Sequence, residues 1–267
     1  DFPALDLSYW LSEDPRDLVA RPEGVGLGAT WGGAWWSEVH WRNLERAARL
    51  QSKMGVTNVL VPLFVRNSFG VKAKPLVRVR CITGAESVPS GFATPADGEA
   101  SLFNAALASW DYDFDFDDFD RFVGIFRRAG FRRFEGAHLL SNRGQVPLRL
   151  ECVLYRTAGE TQPYARNFSF MPRTGTVDED AAQQARRVNI YLEKFLPAFA
   201  HRLAMELRKV GIEREWYQHV IDENTSSETA LATYTGLVAI LRQYMPGLQT
   251  MDAVNQYSGP RYAGAMD

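Results

Sequence analysis

Cysteine and histidine are scarce in this chain, two and four residues respectively in 267. Two cysteines and four scattered histidines make no zinc signature, so no metal site is expected. Cys81 and Cys152 each lie in a strand-like run, "LVRVRCIT" and "LRLECVLY". They read as two half-buried thiols, or as neighbours if those runs pair. Long apolar stretches are missing too: none approaches the ~20 residues that span a bilayer, and no membrane partner is expected. No G-x-G-x-x-G follows a strand, which argues against dinucleotide binding; "GVGLGATWGG" has glycines at the wrong spacing. No G-x-S-x-G elbow supports Ser-His-Asp chemistry. Charge of one sign is also absent: net charge is −2 and the pI about 6.2. That balance gives no reason to expect nucleic acid as a partner. An initiator Met is missing as well, so a leader or an N-terminal domain upstream of "DFPALDLSYW" stays open.

What is present is an ordinary globular composition, 46% hydrophobic and 23% charged, in which strand and helix patterns alternate. Short apolar strands are predicted near 3–9, 57–64, 131–140, 214–222 and 248–255. Helices are predicted near 37–55, 115–130, 189–211 and 226–245, the third kinked or restarted at Pro197. In the first, Val39, Leu44, Ala47, Ala48 and Leu50 form the apolar stripe. In the second, Phe119, Phe122, Val123 and Phe126 share a face. Such alternation implies a parallel sheet with right-handed crossovers. An open doubly wound sheet and a (β/α)8 TIM barrel both fit, and the missing glycine fingerprint favours the barrel. The expectation is therefore one α/β barrel-type domain over 1–267, truncated after about five strands. Two long insertions, near 65–112 and 141–188, alternate like β-hairpins and follow strands. Both are expected at the face where the strands' C-terminal ends lie.

Ligands of parallel α/β domains bind at that face. Asp222 and Glu223 end the fourth predicted strand in "HVIDEN". Thr225 to Glu228 fits a capping box, which gives Glu228 a structural role and leaves the acid pair without one. Asp222 and Glu223 are either loop acids favoured by the helix dipole or a catalytic pair. Adjacent carboxylates raise one another's pKa, and apolar neighbours such as Trp216 and Ile221 add to this, as a general acid requires. The acidic run "DYDFDFDDFD" at 111–120 lacks the glycine and glutamate of a calcium loop. It reads as a helix start with Asp115 as N-cap and Asp117 and Asp118 in the first turn. Trp31, Trp35 and Trp36 sit in the loop after the first strand and Trp10 at that strand's end. They are placed either to stack on a sugar ring or to pack the loop; Trp41 belongs to the helix and the core. His138 and His219, on neighbouring strands near the acid pair, are read as substrate contacts or as interior residues. His40 and His201, on helices, look structural. Asn255 and Tyr257, at and beyond the last strand, complete the candidate substrate contacts.

The "HVIDEN" strand, the "FLPAFAHRLAMELRKVG" helix and the "YDFDFDDFDRFVGIFRRAG" helix together resemble the catalytic barrel of glycoside hydrolase family 123 and related uncharacterised domains. The resemblance implies a retaining exo-β-N-acetylhexosaminidase, galactosaminidase-like, with a carbohydrate substrate and no cofactor. It implies Glu223 as general acid/base and Asp222 as the residue that orients the substrate's 2-acetamido group. As in family 20 hexosaminidases, that group, rather than a protein carboxylate, would attack the anomeric carbon. The family pair is commonly followed by proline; Asn224 stands here. Two further readings stay open: a conventional two-carboxylate retaining glycosidase, and a non-catalytic carbohydrate-binding barrel with the tryptophans as platform. An extracellular or periplasmic compartment is favoured over a cytoplasmic one, and oligomeric state is unread.

Overall fold

The computed structural model describes residues 34–63, 75–82, 111–139, 152–155, 165–168, 189–221 and 228–251. Chain order is α1 (Glu38–Lys53), β1 (Asn58–Val61), β2 (Arg78–Ile82), β3 (Asp111–Asp115), α2 (Asp117–Ala129), β4 (Arg133–Gly136), β5 (Cys152–Tyr155) and β6 (Ala165–Phe168). A π-helical turn (Tyr191–Phe195), α3 (Leu196–Val210), β7 (Trp216–His219), α4 (Glu228–Tyr244) and β8 (Gln249–Met251) follow. The first strand predicted near 3–9 lies outside the described residues.

Four strands form a wholly parallel sheet in the order β1-β4-β7-β8. The order advances in one direction without reversal, so right-handed crossovers put the connecting helices on one face. The register assigns Val59, Val61, Phe134, Gly136, Trp216, Gln218 and Thr250 to that face, alternate residues pointing the same way. Trp216 meets Phe119 of α2 with ring centroids 5.8 Å apart. Phe119, Phe122, Val123 and Phe126 are all buried, as the helical spacing predicts. Truncating any of these phenylalanines to alanine would cost about 3–5 kcal/mol.

α1 forms as predicted and buries Leu44 and Ala48 of the expected stripe, but its ends are turned differently. Trp41, Leu44 and Ala48, with His40 and Gln51, are buried, whereas Val39 and Leu50 are exposed. The inward residues recur at three- and four-residue intervals; Val39 and Leu50 fall off that line. Arg121 of α2 pins the helix from outside, donating to both Glu38 carboxylate oxygens at 2.5 and 2.7 Å with its guanidinium over the Trp41 ring. The restart at Pro197 takes a specific form. Proline has no N–H to donate and its ring crowds the carbonyl four residues back. The preceding turn widens to a π-helical one, the Leu196 N–H reaching Tyr191 O, and α3 begins with proline in its first turn. α2 and α3 both stop at left-handed glycines, Gly130 (φ 102°) and Gly211 (φ 72°).

The two insertions do form antiparallel pairs, β2 with β3 and β5 with β6, but they are not separate hairpins. Parallel pairing of β2 with β5 joins them into one four-stranded sheet, β3-β2-β5-β6. That pairing also brings the two cysteine runs together. Cys81 lies opposite Leu154 and Cys152 opposite Val79, so the cysteines are offset along the ladder rather than facing. β3 corrects the reading of the acidic run: its first half is strand, not helix start. Asp111, Asp113 and Asp115 alternate with Tyr112 and Phe114, which pack on Phe195. The antiparallel register sets Asp113 opposite Arg80 and Asp115 opposite Arg78, with ion-pair distances of 2.5 and 3.4 Å. Phe116, not Asp115, occupies the N-cap position, although an Asp115 carboxylate oxygen still accepts the Asp117 N–H at 3.0 Å. Asp117, Asp118 and Asp120 do occupy the first turn.

Candidate active site

The face of the parallel sheet opposite the helices differs in character. Its alternate residues are Asn58 and Leu60 on β1, Arg133 and Glu135 on β4, Tyr217 and His219 on β7, and Gln249 and Met251 on β8. Leu60 is buried yet stands outside the helix-side hydrophobic cluster. Of the polar residues in this row Glu135 and His219 are buried, Asn58, Arg133 and Tyr217 are half-buried and Gln249 is exposed; a buried polar pair is costly unless satisfied, so it marks where the sheet is shaped for something other than packing. At the strand starts the Arg133 guanidinium lies over the Tyr217 ring at 5.1 Å. At the C-terminal ends Glu135 and His219 are 1% and 3% exposed, with His219 Nε2 3.5 Å from Glu135 Oε2. His138, just past β4, sets its ring 4.7 Å from that of His219. Burial, reinforced by the charge of His219, pushes the His138 pKa down to about 2, so its imidazole is neutral across the working range.

Backbone carbonyls at these strand ends are held from the helix side by Gln218, which is fully buried. Its amide nitrogen donates to Gly136 O, Ala137 O and His219 O at 3.2, 2.9 and 2.7 Å. Its oxygen accepts the Trp216 indole N–H at 3.2 Å. Gly136 leaves the space that this amide and the Trp216 ring fill: a Cβ there would stand 2.5 Å from Gln218 Oε1. Beyond the strands, Leu139 N donates to Val220 O and Tyr191 Oη to Leu139 O, which extends the β4–β7 pairing towards the loops. One fixed scaffold thus carries Glu135, His138 and His219, and the chain reaches Asp222 three residues after His219.

The structure therefore brings His138 and His219 together, as two neighbouring strands imply. Asp222, Glu223, Trp10, Trp31, Asn255 and Tyr257 lie outside the described residues, as does Thr225. Trp35 and Trp36 are half-buried. Trp36 adopts a left-handed backbone (φ 57°), fixed by its N–H donating to His40 Nδ1 and its indole N–H to Pro75 O. Its ring stacks on His40 and Trp41, each at 4.8 Å, and packs on the core. Trp36 thus serves loop packing in this arrangement, with Trp35 edge-on to it at 5.5 Å. His40, fully buried, is structural as expected. Glu135 escaped the sequence reading. The available signal was a carboxylate inside the apolar run "FRRFEGAHLL", where a charge is costly to bury.

Among the described residues, no group of three or more His, Cys, Asp or Glu is placed to hold a metal ion. No helix among them is long and apolar enough to cross a membrane. A groove of about 450 Å³ lined by Arg127, Arg132, Arg133 and Glu215 opens at the opposite, N-terminal ends of β4 and β7.

No curated protein matches the chain. Among solved structures, a mutant morphinone reductase in complex with tetrahydroNAD is similar at 15% identity and a TM-score of 0.26, over 86% of this chain and 65% of that one. The chain therefore spans a little under two thirds of that protein's length. The family model described as "Glycoside hydrolase 123, catalytic domain" matches residues 27–261. That span takes in both sheets, all four parallel strands and the segment with Asp222 and Glu223, and on this extent the chain belongs to glycoside hydrolase family 123, a family of glycosidase catalytic domains.

Proposed function

We propose that the protein is a retaining exo-β-N-acetylhexosaminidase, galactosaminidase-like, that works by substrate-assisted catalysis on a barrel of the (β/α)8 type. The observation that carries the reading is the family match across the Asp222–Glu223 segment. The unreversed strand order supports the barrel, because a doubly wound sheet reverses its order at a switch point. The polar row on the helix-free face is where a barrel keeps its interior, and its C-terminal end is where barrel enzymes bind substrate.

In this reading Glu223 donates a proton to the glycosidic oxygen as the bond to the anomeric carbon breaks. The 2-acetamido carbonyl oxygen attacks that carbon and closes an oxazolinium ring. Asp222 accepts a hydrogen bond from the acetamido N–H, which turns the carbonyl towards the anomeric centre and stabilises the positive charge formed. Glu223, now ionised, takes a proton from water as the water opens the ring, so the configuration is retained over two inversions. His138, held neutral, is assigned as a contact of the same sugar site. Trp10, Trp31, Asn255 and Tyr257 are assigned to the walls of the same sugar site, and Trp35 to its rim.

Glu223→Gln tests the assignment. Hydrolysis of an aryl N-acetyl-β-galactosaminide should fall about 10²–10⁴-fold, most for poor leaving groups, with binding of the product sugar kept. Asp222→Asn should reduce cleavage far more than binding. A Glu223→Gln variant that hydrolyses at the parent rate removes the proposed acid. Sugar binding without hydrolysis by the parent would instead identify a carbohydrate-binding barrel.

A further inference from the structure

The mechanism above gives no task to Gln218, a polar side chain on the helix-bearing face of the parallel sheet. It is fully buried, and Val59, Val61, Phe134 and Trp216 on the same face are apolar. An amide in such a place is costly unless its oxygen and its N–H groups are bonded. Here they are. The oxygen accepts the Trp216 indole N–H, and the nitrogen shares its two hydrogens among Gly136 O, Ala137 O and His219 O. Gly136 is matched to it, since a Cβ there would collide with the Trp216 ring and crowd Gln218 Oε1. A leucine would fill similar space and make none of these bonds, so the bonds rather than the volume distinguish the position. The three carbonyls belong to the ends of two different strands. β4 and β7 keep register to Gly136 opposite Gln218, and their chains meet again where Leu139 N donates to Val220 O at 3.2 Å. His138 and His219 stand in that interval with ring centroids 4.7 Å apart. The amide spans the interval from the other face of the sheet, bonding the main chain directly before His138 and that of His219 itself.

We infer that Gln218 is a positioning residue of the reaction: its amide ties the C-terminal ends of β4 and β7 together and so holds His138 in place beside His219. The inference rests on the glycosidase reading, in which His138 is a sugar contact, and adds a residue that never touches the sugar. A side chain that fixes main-chain atoms on both strands limits how far the two ends can part or slide. Misplacement of a substrate contact by about 1 Å is enough to slow an enzyme substantially.

The test is Gln218→Met, which keeps the length of the side chain and removes its donors. Gln218→Asn, with its amide on a shorter stem, should show the same changes to a smaller degree and serves should the first fold poorly. Phe126→Leu is the control, because it loosens the helix-side core at Phe131, before β4 begins. Two readouts apply. Imidazole ¹⁵N chemical shifts should show His138 neutral wherever the parent stays folded, its pKa being held at about 2 chiefly by burial. In Gln218→Met the same signals should begin to titrate within that range, because parted strand ends admit water. In hydrolysis, Gln218→Met should lower kcat/KM about ten- to hundredfold, whereas Phe126→Leu should melt earlier and leave both readouts in place. A His138 signal that stays neutral alike in parent and Gln218→Met overturns the inference. So does an equal loss of activity in Phe126→Leu, since that is a structural effect. A parent without hydrolase activity would overturn the functional reading and the catalytic half of this inference together. The ¹⁵N shifts would still decide whether Gln218 holds the strand ends.

Discussion

Acid should unfold this protein in part through His138. The ring is 2% exposed, and burial together with the charge of His219 holds its pKa at about 2, against 6.5 in an unfolded chain. A histidine with a depressed folded-state pKa contributes no penalty above the unfolded value. As pH falls through 6.5 the unfolded chain takes up a proton that the native state refuses, and stability is lost down towards the folded pKa. One group of this kind changes stability by about 1.4 kcal/mol per pH unit once fully engaged. Between about pH 7.5 and 4.5 the loss from this residue sums to between about 2 and 3 kcal/mol. His138→Gln removes the titrating group and keeps a neutral polar side chain. Urea unfolding of parent and variant across that pH range, extrapolated linearly, gives the difference in stability at each pH. The expected result is a difference that swings in the variant's favour by roughly 2–3 kcal/mol as pH falls. Parallel curves would refute the reasoning, because they would mean that native His138 accepts its proton as readily as the unfolded chain does.

Other consequences follow from neighbouring features. Gly136→Ala would drive a methyl into the Trp216 ring and against Gln218 Oε1, both rigidly packed. Overpacking of this kind costs about 1–3 kcal/mol, so the melting temperature should drop by several degrees, and an unchanged one would mean that the ring yields. Across β2 and β3, Arg80→Asp should destabilise by about 0.5–1 kcal/mol in low salt. The added swap Asp113→Arg should restore much of that loss; no recovery would show that the registered pair does not interact. Burial raises the Asp118 pKa above 3.8, partly opposed by the Arg78 charge. The native state therefore binds that proton more tightly than the unfolded one, and its advantage fades as pH rises through the native pKa. Asp118→Asn should thus gain on the parent in urea midpoints as pH rises above about 4.

Much of the architecture was legible because local chemistry and tertiary packing agree. The phenylalanines of α2 recur at helical spacing and are all buried. Glycines mark helix ends, and Pro197 marks the restart of α3. The alternating insertions do pair as strands. Where the reading failed, two local signals overlapped or a distant partner decided. "DYDFDFDDFD" carries period-two alternation in its first half and helix-favouring acids in its second. Only the pairing of Asp113 and Asp115 with Arg80 and Arg78 shows where one pattern ends. In α1 the inward stripe was set by what Trp41 and Leu44 pack against, which Val39 and Leu50 could not reveal. At the site, the proximity of His138 and His219 follows from neighbouring parallel strands. Glu135 was missed because a single acid in an apolar run gains its meaning from His219, which register alone brings beside it.

The central claim is that the acetamido group of the substrate performs the attack. Its most direct test compares hydrolysis, by the parent protein, of an aryl β-galactoside bearing a 2-acetamido group with that of the matched 2-hydroxy compound. The account predicts cleavage of the acetamido substrate with retained anomeric configuration and little or none of the 2-hydroxy one. Equal rates on the two would contradict it, because a nucleophile that the 2-hydroxy sugar lacks cannot then be the one at work.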